Sequence, residues 1–190
     1  LPGKKGPTVS RTALLAMDLQ NTHLARVPEG YLPRAVRALD TARGHAVPVI
    51  HVALRLRPDR ADVHPRNKMF GSVPAGLYTA ADEGAAIHPD VAPLDGEIVV
   101  YKNRVSAFTG SNLHQLLGAQ DIGHLVLAGV ATGGIVLSTA LQAADLDYDV
   151  TVLSDACVDP NPQLHDALVT GIFARRGGVA TVEEWAEVLS

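Results

Sequence analysis

Asp18 stands where the apolar run from Thr12 to Met17 stops, and Lys102 stands where a second run, Glu97 to Tyr101, stops. A charge is costly to bury unless it is paired or used, so two opposite charges at the ends of apolar runs are candidates for a working pair. Such a pair can move a proton, with Asp18 as general acid or base and Lys102 as its charge partner. Each also has a plainer reading, Asp18 as a helix cap or turn acid and Lys102 as a surface lysine. The third feature is the turn Val130, Ala131, Thr132, Gly133 and Gly134, between the apolar run from His124 to Gly129 and a helical stretch that resumes at Ile135. Backbone N–H groups at a strand-to-helix turn converge beyond the sheet and can hold a developing negative oxygen; the same turn can also serve packing alone.

Arg55, Arg57, Arg60, Arg66 and Lys68 lie in one Pro-broken segment. Arg side chains present fixed donors that suit carboxylates, so Arg55, Arg66 and Lys68 could form an anion-recognising lip, with Gln20 and Phe108 as further substrate contacts. A solvated loop is the alternative for the same run. The sole cysteine, Cys157, reads either as a buried thiol or as a nucleophile, and Ser138 and Thr139 are hydroxyls inside a helical stretch.

These residues need elements to position them. Thr12–Met17, Val47–Leu54, Glu97–Tyr101, His124–Gly129, Asp149–Leu153 and Val179–Val182 read as short strands, mostly buried on both faces. Between them, helical patterns run over Pro33–Arg43 (closed by Gly44), Asn112–Leu117, Ile135–Asp145, Asn161–Ala174 and Glu183–Leu189. Phe70 to Asp95 has little period and reads as an excursion over the site with at most short helices. Strands alternating with helices predict an α/β fold with a mostly parallel sheet, and ligands at its carboxyl edge. In 190 residues this predicts one domain, 11–190, after a flexible lead-in over 1–10. A net charge of -4 carries no polycationic signature for nucleic acid or an anionic membrane, which leaves a small molecule or a protein as partner. One cysteine makes no internal disulfide, and with no long apolar span the expected setting is cytoplasmic.

Ala16-Met-Asp-Leu-Gln-Asn21, Lys102-Asn-Arg-Val-Ser-Ala-Phe108, Leu127-Ala-Gly-Val-Ala-Thr132 with Leu137-Ser-Thr-Ala140, and Val152-Leu-Ser-Asp-Ala-Cys157 occur in this order. Over residues 12 to 182 the chain resembles the isochorismatase-like hydrolases, a superfamily that includes nicotinamidases and N-carbamoylsarcosine amidases. The resemblance implies a three-layer α/β/α fold, a six-stranded mostly parallel sheet in Rossmann-like order, a cis peptide at Val130-Ala131, and a homo-oligomer, dimer or tetramer. It also implies a catalytic Asp, Lys and Cys; the first two map to Asp18 and Lys102, and Ile135 stands at the cysteine's position. Without that thiol the family's thioester route is closed. Isochorismatases proper also lack the cysteine and cleave a vinyl ether by protonation from the acid equivalent to Asp18, although their glutamine after the second strand would fall near Leu54 here.

The stretch Asp62-Val-His64 to Lys68 is similar to the metal ligands of nicotinamidases, but a Lys stands where a ligating His is needed, so neither metal nor cofactor is expected. Three functions remain open: a cysteine-independent hydrolase of a small anionic metabolite, a non-catalytic binding or scaffold descendant, and an amidase with a relocated nucleophile such as Cys157 or Ser138.

Overall fold

The structure is a computed structural model that describes residues 10–190; of the expected lead-in, 1–10, only Ser10 is among them. Its strands are β1 (Arg11–Met17), β2 (Val49–Leu54), β3 (Ile98–Lys102), β4 (Ile122–Val130), β5 (Asp149–Val158) and β6 (Gly178–Ala180). The helices are α1 (Asn21–Leu24), α2 (Tyr31–Gly44), α3 (Leu113–Ala119), α4 (Leu137–Asp145), α5 (Pro162–Leu168), α6 (Ala174–Arg176) and α7 (Val182–Leu189). All neighbouring strands pair in parallel, in the order β3-β2-β1-β4-β5-β6.

Successive side chains of a strand point to opposite faces, and β1 is apolar on both. Leu15 and Met17 pack in one layer with Leu113 and Leu117 of α3 and Ala140 and Ala143 of α4. Leu14 and Ala16 pack in the other with Ala35, Ala38 and Leu39 of α2 and Trp185 of α7. The strand is therefore clamped between two helical layers, and its only polar outlets are its ends. Strand order reverses between β1 and β4, so their carboxyl ends open the crevice in which this architecture places ligands. Met17 lies in register with Val52 on one side and Gly129 on the other, and Leu54 with Lys102, which brings the ends of all four strands to one edge.

Some boundaries differ from expectation. β5 continues to Val158 because its register with β4 shifts between Leu127 and Gly129, after which Cys157 pairs beside Gly129; Cys157 is thus within the strand rather than after it. Helix α2 runs through Gly44, and the left-handed residue that ends it is Ala46 at φ 54°. The excursion from Phe70 to Asp95 holds two single turns, Glu83–Ala85 and Pro89–Val91. Among the described residues no helix is long and apolar enough to cross a membrane.

Candidate functional site

A cavity of about 230 Å³ opens at the carboxyl ends of β1 and β4. Asp18 reaches it because the chain leaves β1 through a left-handed residue: Asp18 has φ 54°, a conformation that Asp tolerates better than bulkier residues, and its N–H donates to the Val52 carbonyl at 2.8 Å. Asp18 is 6% exposed, against 2% for Lys102. Lys102 Nζ lies 3.0 Å from Asp18 Oδ2 and also donates to the Arg104 carbonyl at 3.0 Å. Asp18 Oδ1 is buried and has no hydrogen-bond partner. A buried carboxylate oxygen without a donor is expensive, and the residue that carries it forms part of the cavity wall.

The rest of the lining is mainly apolar. Val27, Leu54, Met69, Phe70, Val105 and Ile135 contribute walls. Phe70 belongs to a small cluster with Leu54 and Leu56, against which Val63, Val73, Tyr78 and Val105 pack, so the segment after β2 folds back as a roof. Ile135 is 2% exposed and joins the core through the same layer as α4.

In the turn after β4, the Val130-Ala131 peptide is cis. Val130, Ala131, Gly134 and Ile135 border the cavity, whereas Thr132 and Gly133 do not. The expected row of free N–H donors is also shorter than the sequence suggests: Gly133 N–H donates to Asp159 Oδ2 at 2.7 Å, and Gly134 N–H to the Ala131 carbonyl at 3.0 Å. Thr132 Oγ1 lies 2.8 Å from His165 Nδ1. Asp159 and His165 thus shape the turn from the far side, at the end of β5 and in α5, and nothing local in the sequence links them to it.

The expected substrate contacts are corrected by their partners. Gln20 is fully buried with its amide committed to the backbone, accepting from Leu54 N–H at 2.9 Å and donating to the carbonyls of Leu54 and Ala85. It ties β2 to the turn Glu83–Ala85 within the excursion and is not among the residues that line the cavity. Arg55 stacks over the Tyr101 ring at 3.2 Å on another surface, and Arg66 and Lys68 are exposed and do not line the cavity. Phe108 packs in the core and stacks on Tyr148 at 5.8 Å. The relocated nucleophile fails as well: Cys157 is 4% exposed, its thiol is directed at the Leu127 carbonyl, and burial pushes it up to about 12, far from the reactive thiolate range. Ser138 does not border the cavity. His64 accepts from Arg66 N–H in an exposed turn, and among the described residues no group of three or more His, Cys, Asp or Glu is arranged to hold a metal.

Sequence reasoning missed His23 and Arg26. One turn of helix, α1, carries His23 back so that its Nδ1 lies 3.1 Å from the Asp18 carbonyl, and both His23 and Arg26 border the cavity. The available signal was their nearness in sequence, five and eight residues after Asp18. Burial lowers the His23 imidazole below its ordinary value; the Asp18 charge opposes this, while Lys102 and Arg26 reinforce it.

Residues 12–184 match the Isochorismatase domain family. A probable inactive nicotinamidase of Arabidopsis thaliana is 29% identical over 94% of this chain and 96% of the relative. A maleamate amidohydrolase of Pseudomonas putida is 28% identical over 92% of this chain and 84% of its own. The structure of an isochorismatase family protein from Burkholderia thailandensis superposes with a TM-score of 0.82 at 30% identity, covering 96% of this chain and 99% of that one.

Proposed function

The chain belongs to the isochorismatase family, and from that premise we propose that it is a hydrolase working without a thiol nucleophile on a small metabolite with an apolar body and an acidic group. One observation carries the reading: a buried Asp18–Lys102 pair on an apolar cavity, with Asp18 Oδ1 left unpartnered. A buried ion pair adds little stability by itself, so its presence in the wall of a cavity is best explained by use.

In an acyl transfer to water, Asp18 Oδ1 takes a proton from a water beside the substrate. The water's electron pair forms the new C–O bond, the bond to the departing atom breaks, and the proton passes from Asp18 to that atom. For a vinyl ether the order is reversed: Asp18 first gives a proton to carbon, water adds to the oxocarbenium ion and returns a proton to Asp18, and the ether oxygen then takes that proton as its C–O bond breaks, while the hydroxyl gives up its own proton, leaving a carbonyl and an alcohol. Lys102 holds Oδ2 throughout and offsets the carboxylate's charge where solvent screening is weak. Ile135 has no lone pair to attack with, and with Val130 and Phe70 it keeps bulk water from the reacting atoms. Arg26 is exposed, makes no ion pair among the described residues, and is placed to meet the substrate's acidic group.

The test is hydrolysis of a panel of esters, vinyl ethers and amides of small acids. Asp18→Asn is expected to lower turnover by about 100-fold or more. A second reading, binding without turnover, draws on the buried Ile135 and on the similarity to a relative named inactive. Ligands from the panel that raise the melting temperature and yield no product would select it.

A further inference from the structure

His23 plays no part in the mechanism above, yet it borders the cavity beside Asp18, Lys102 and Arg26. Its orientation is held from two sides. The Asp18 carbonyl lies 3.1 Å from Nδ1, and the ring stacks on Tyr78 with centroids 5.3 Å apart at 25°. A carbonyl can only accept, so Nδ1 carries the hydrogen, and a neutral His23 presents Nε2 as a bare acceptor. Nε2 has no protein partner and is not among the side-chain atoms closed off from solvent, which leaves it free for a ligand. The charges facing the ring are the Asp18 carboxylate, the Lys102 ammonium and, just beyond its own helix, the Arg26 guanidinium; Tyr78 covers the ring with an uncharged phenol. Asp18 and Lys102 neutralise each other, so the state of His23 decides the charge of the inner cavity.

We propose that His23 selects the ligand by charge. When neutral it accepts a hydrogen bond from a ligand N–H or O–H, and when protonated it donates instead and favours a carboxylate at the same place. At neutral pH the cavity then takes a molecule with a donor at its inner end, while the acidic group remains at Arg26. As pH falls through the lowered His23 titration, the imidazolium joins Lys102 and Arg26 and the inner end turns to anions. The proposal rests on the cavity being the ligand site, whether or not turnover occurs there.

4-Carbamoylbenzoate and terephthalate have nearly the same shape and each keeps one carboxylate for Arg26; at the other end only the first offers N–H donors, and the second presents a carboxylate. Their dissociation constants, measured by calorimetric titration from pH 8 to pH 5, give the readout. At pH 8 the wild type is expected to bind 4-carbamoylbenzoate about tenfold more tightly than terephthalate, the worth of one ordinary hydrogen bond. Terephthalate affinity should then rise by up to about tenfold per unit fall in pH while His23 takes up its proton. His23→Phe, which keeps the stack on Tyr78, should lose both the preference and the pH dependence; His23→Gln, which has an acceptor and no titration, should keep amide binding and lose the pH dependence. An unchanged preference and pH profile in His23→Phe overturns the proposal, and so does failure of either probe to bind the wild type at millimolar concentration. Selective, pH-dependent binding without hydrolysis of any panel substrate would remove the hydrolase reading and leave this one standing; turnover without the selectivity would do the reverse.

Discussion

Replacing Lys102 by Met keeps the length and most of the volume of a side chain that is 2% exposed, and removes the only cation within 4.0 Å of the Asp18 carboxylate among the described residues. Asp18 Oδ1 already lacks a partner, so the variant would leave a buried carboxylate with neither charge nor hydrogen-bond compensation on either oxygen. Breaking one side of such a pair costs about 3–5 kcal/mol. For a chain of this size, a change of 1 kcal/mol moves the melting temperature by about 2–4 °C, so Lys102→Met should lower it by about 6–20 °C. In an Asp18→Asn background no charge is left to strand, and the same replacement should cost about 1 kcal/mol or less. The coupling between the two sites, measured by urea unfolding of the four proteins at pH 7, is then about 2–4 kcal/mol. Equal costs of Lys102→Met in both backgrounds would refute a buried, mutually compensating pair.

Three further outcomes are expected. Cys157 should resist alkylation by iodoacetamide at pH 8 in the folded protein and react on unfolding, because its thiol is buried and held up near 12; rapid native labelling would contradict its place in β5. Gly129→Ala should destabilise by about 2–3 kcal/mol in urea unfolding, since a Cβ there would collide with the Met17 carbonyl oxygen, a backbone atom that cannot swing away; a neutral substitution would contradict the close approach of β4 to β1. Acid should destabilise the fold in two stages. Burial lowers His23, His51 and His124, so the unfolded chain takes up protons that the folded one refuses, and stability falls as pH drops below about 6.5. Glu97, held down to about 2 against the desolvation it suffers, by Arg43, the Leu94 N–H and His51, contributes stability that is complete above the ordinary carboxylate range and lost as pH falls toward 2. A urea midpoint at pH 5 equal to or above that at pH 7 would contradict the first stage.

The parts of this site that could be read from sequence are those whose position follows from the chain itself. Asp18 and Lys102 end apolar runs, and parallel pairing in register carries strand ends to a common edge, so their meeting follows from the pattern. The turn after β4 was legible for the same reason. What each turn N–H bonds to was not, because Asp159 is 26 residues from Gly133 and only the return of β5 brings it there. The cations after β2 misled because charge alone has no direction: Phe70, Val63 and Tyr78 pack on Leu54 and Leu56, and this roofing leaves Arg66 and Lys68 outside. Gln20 sits one residue beyond Leu19 at a motif that suggested ligand contact, but its amide closes the backbone of Leu54 and Ala85, a pairing that depends on where the excursion returns. His23 was overlooked for the opposite reason, as an ordinary polar residue in a short helix whose single turn happens to point back at Asp18.

The central claim is that Asp18 moves a proton in a hydrolysis that needs no thiol. Its most direct measurement is the pH dependence of kcat/KM for the best substrate of the ester, vinyl ether and amide panel, in the wild type, Asp18→Asn and Cys157→Ala. The expected profile is governed by an ionisable group, disappears with Asp18→Asn along with about 100-fold or more of the rate, and persists in Cys157→Ala. Activity that survives Asp18→Asn with its profile unchanged, or that vanishes in a folded Cys157→Ala, would contradict it.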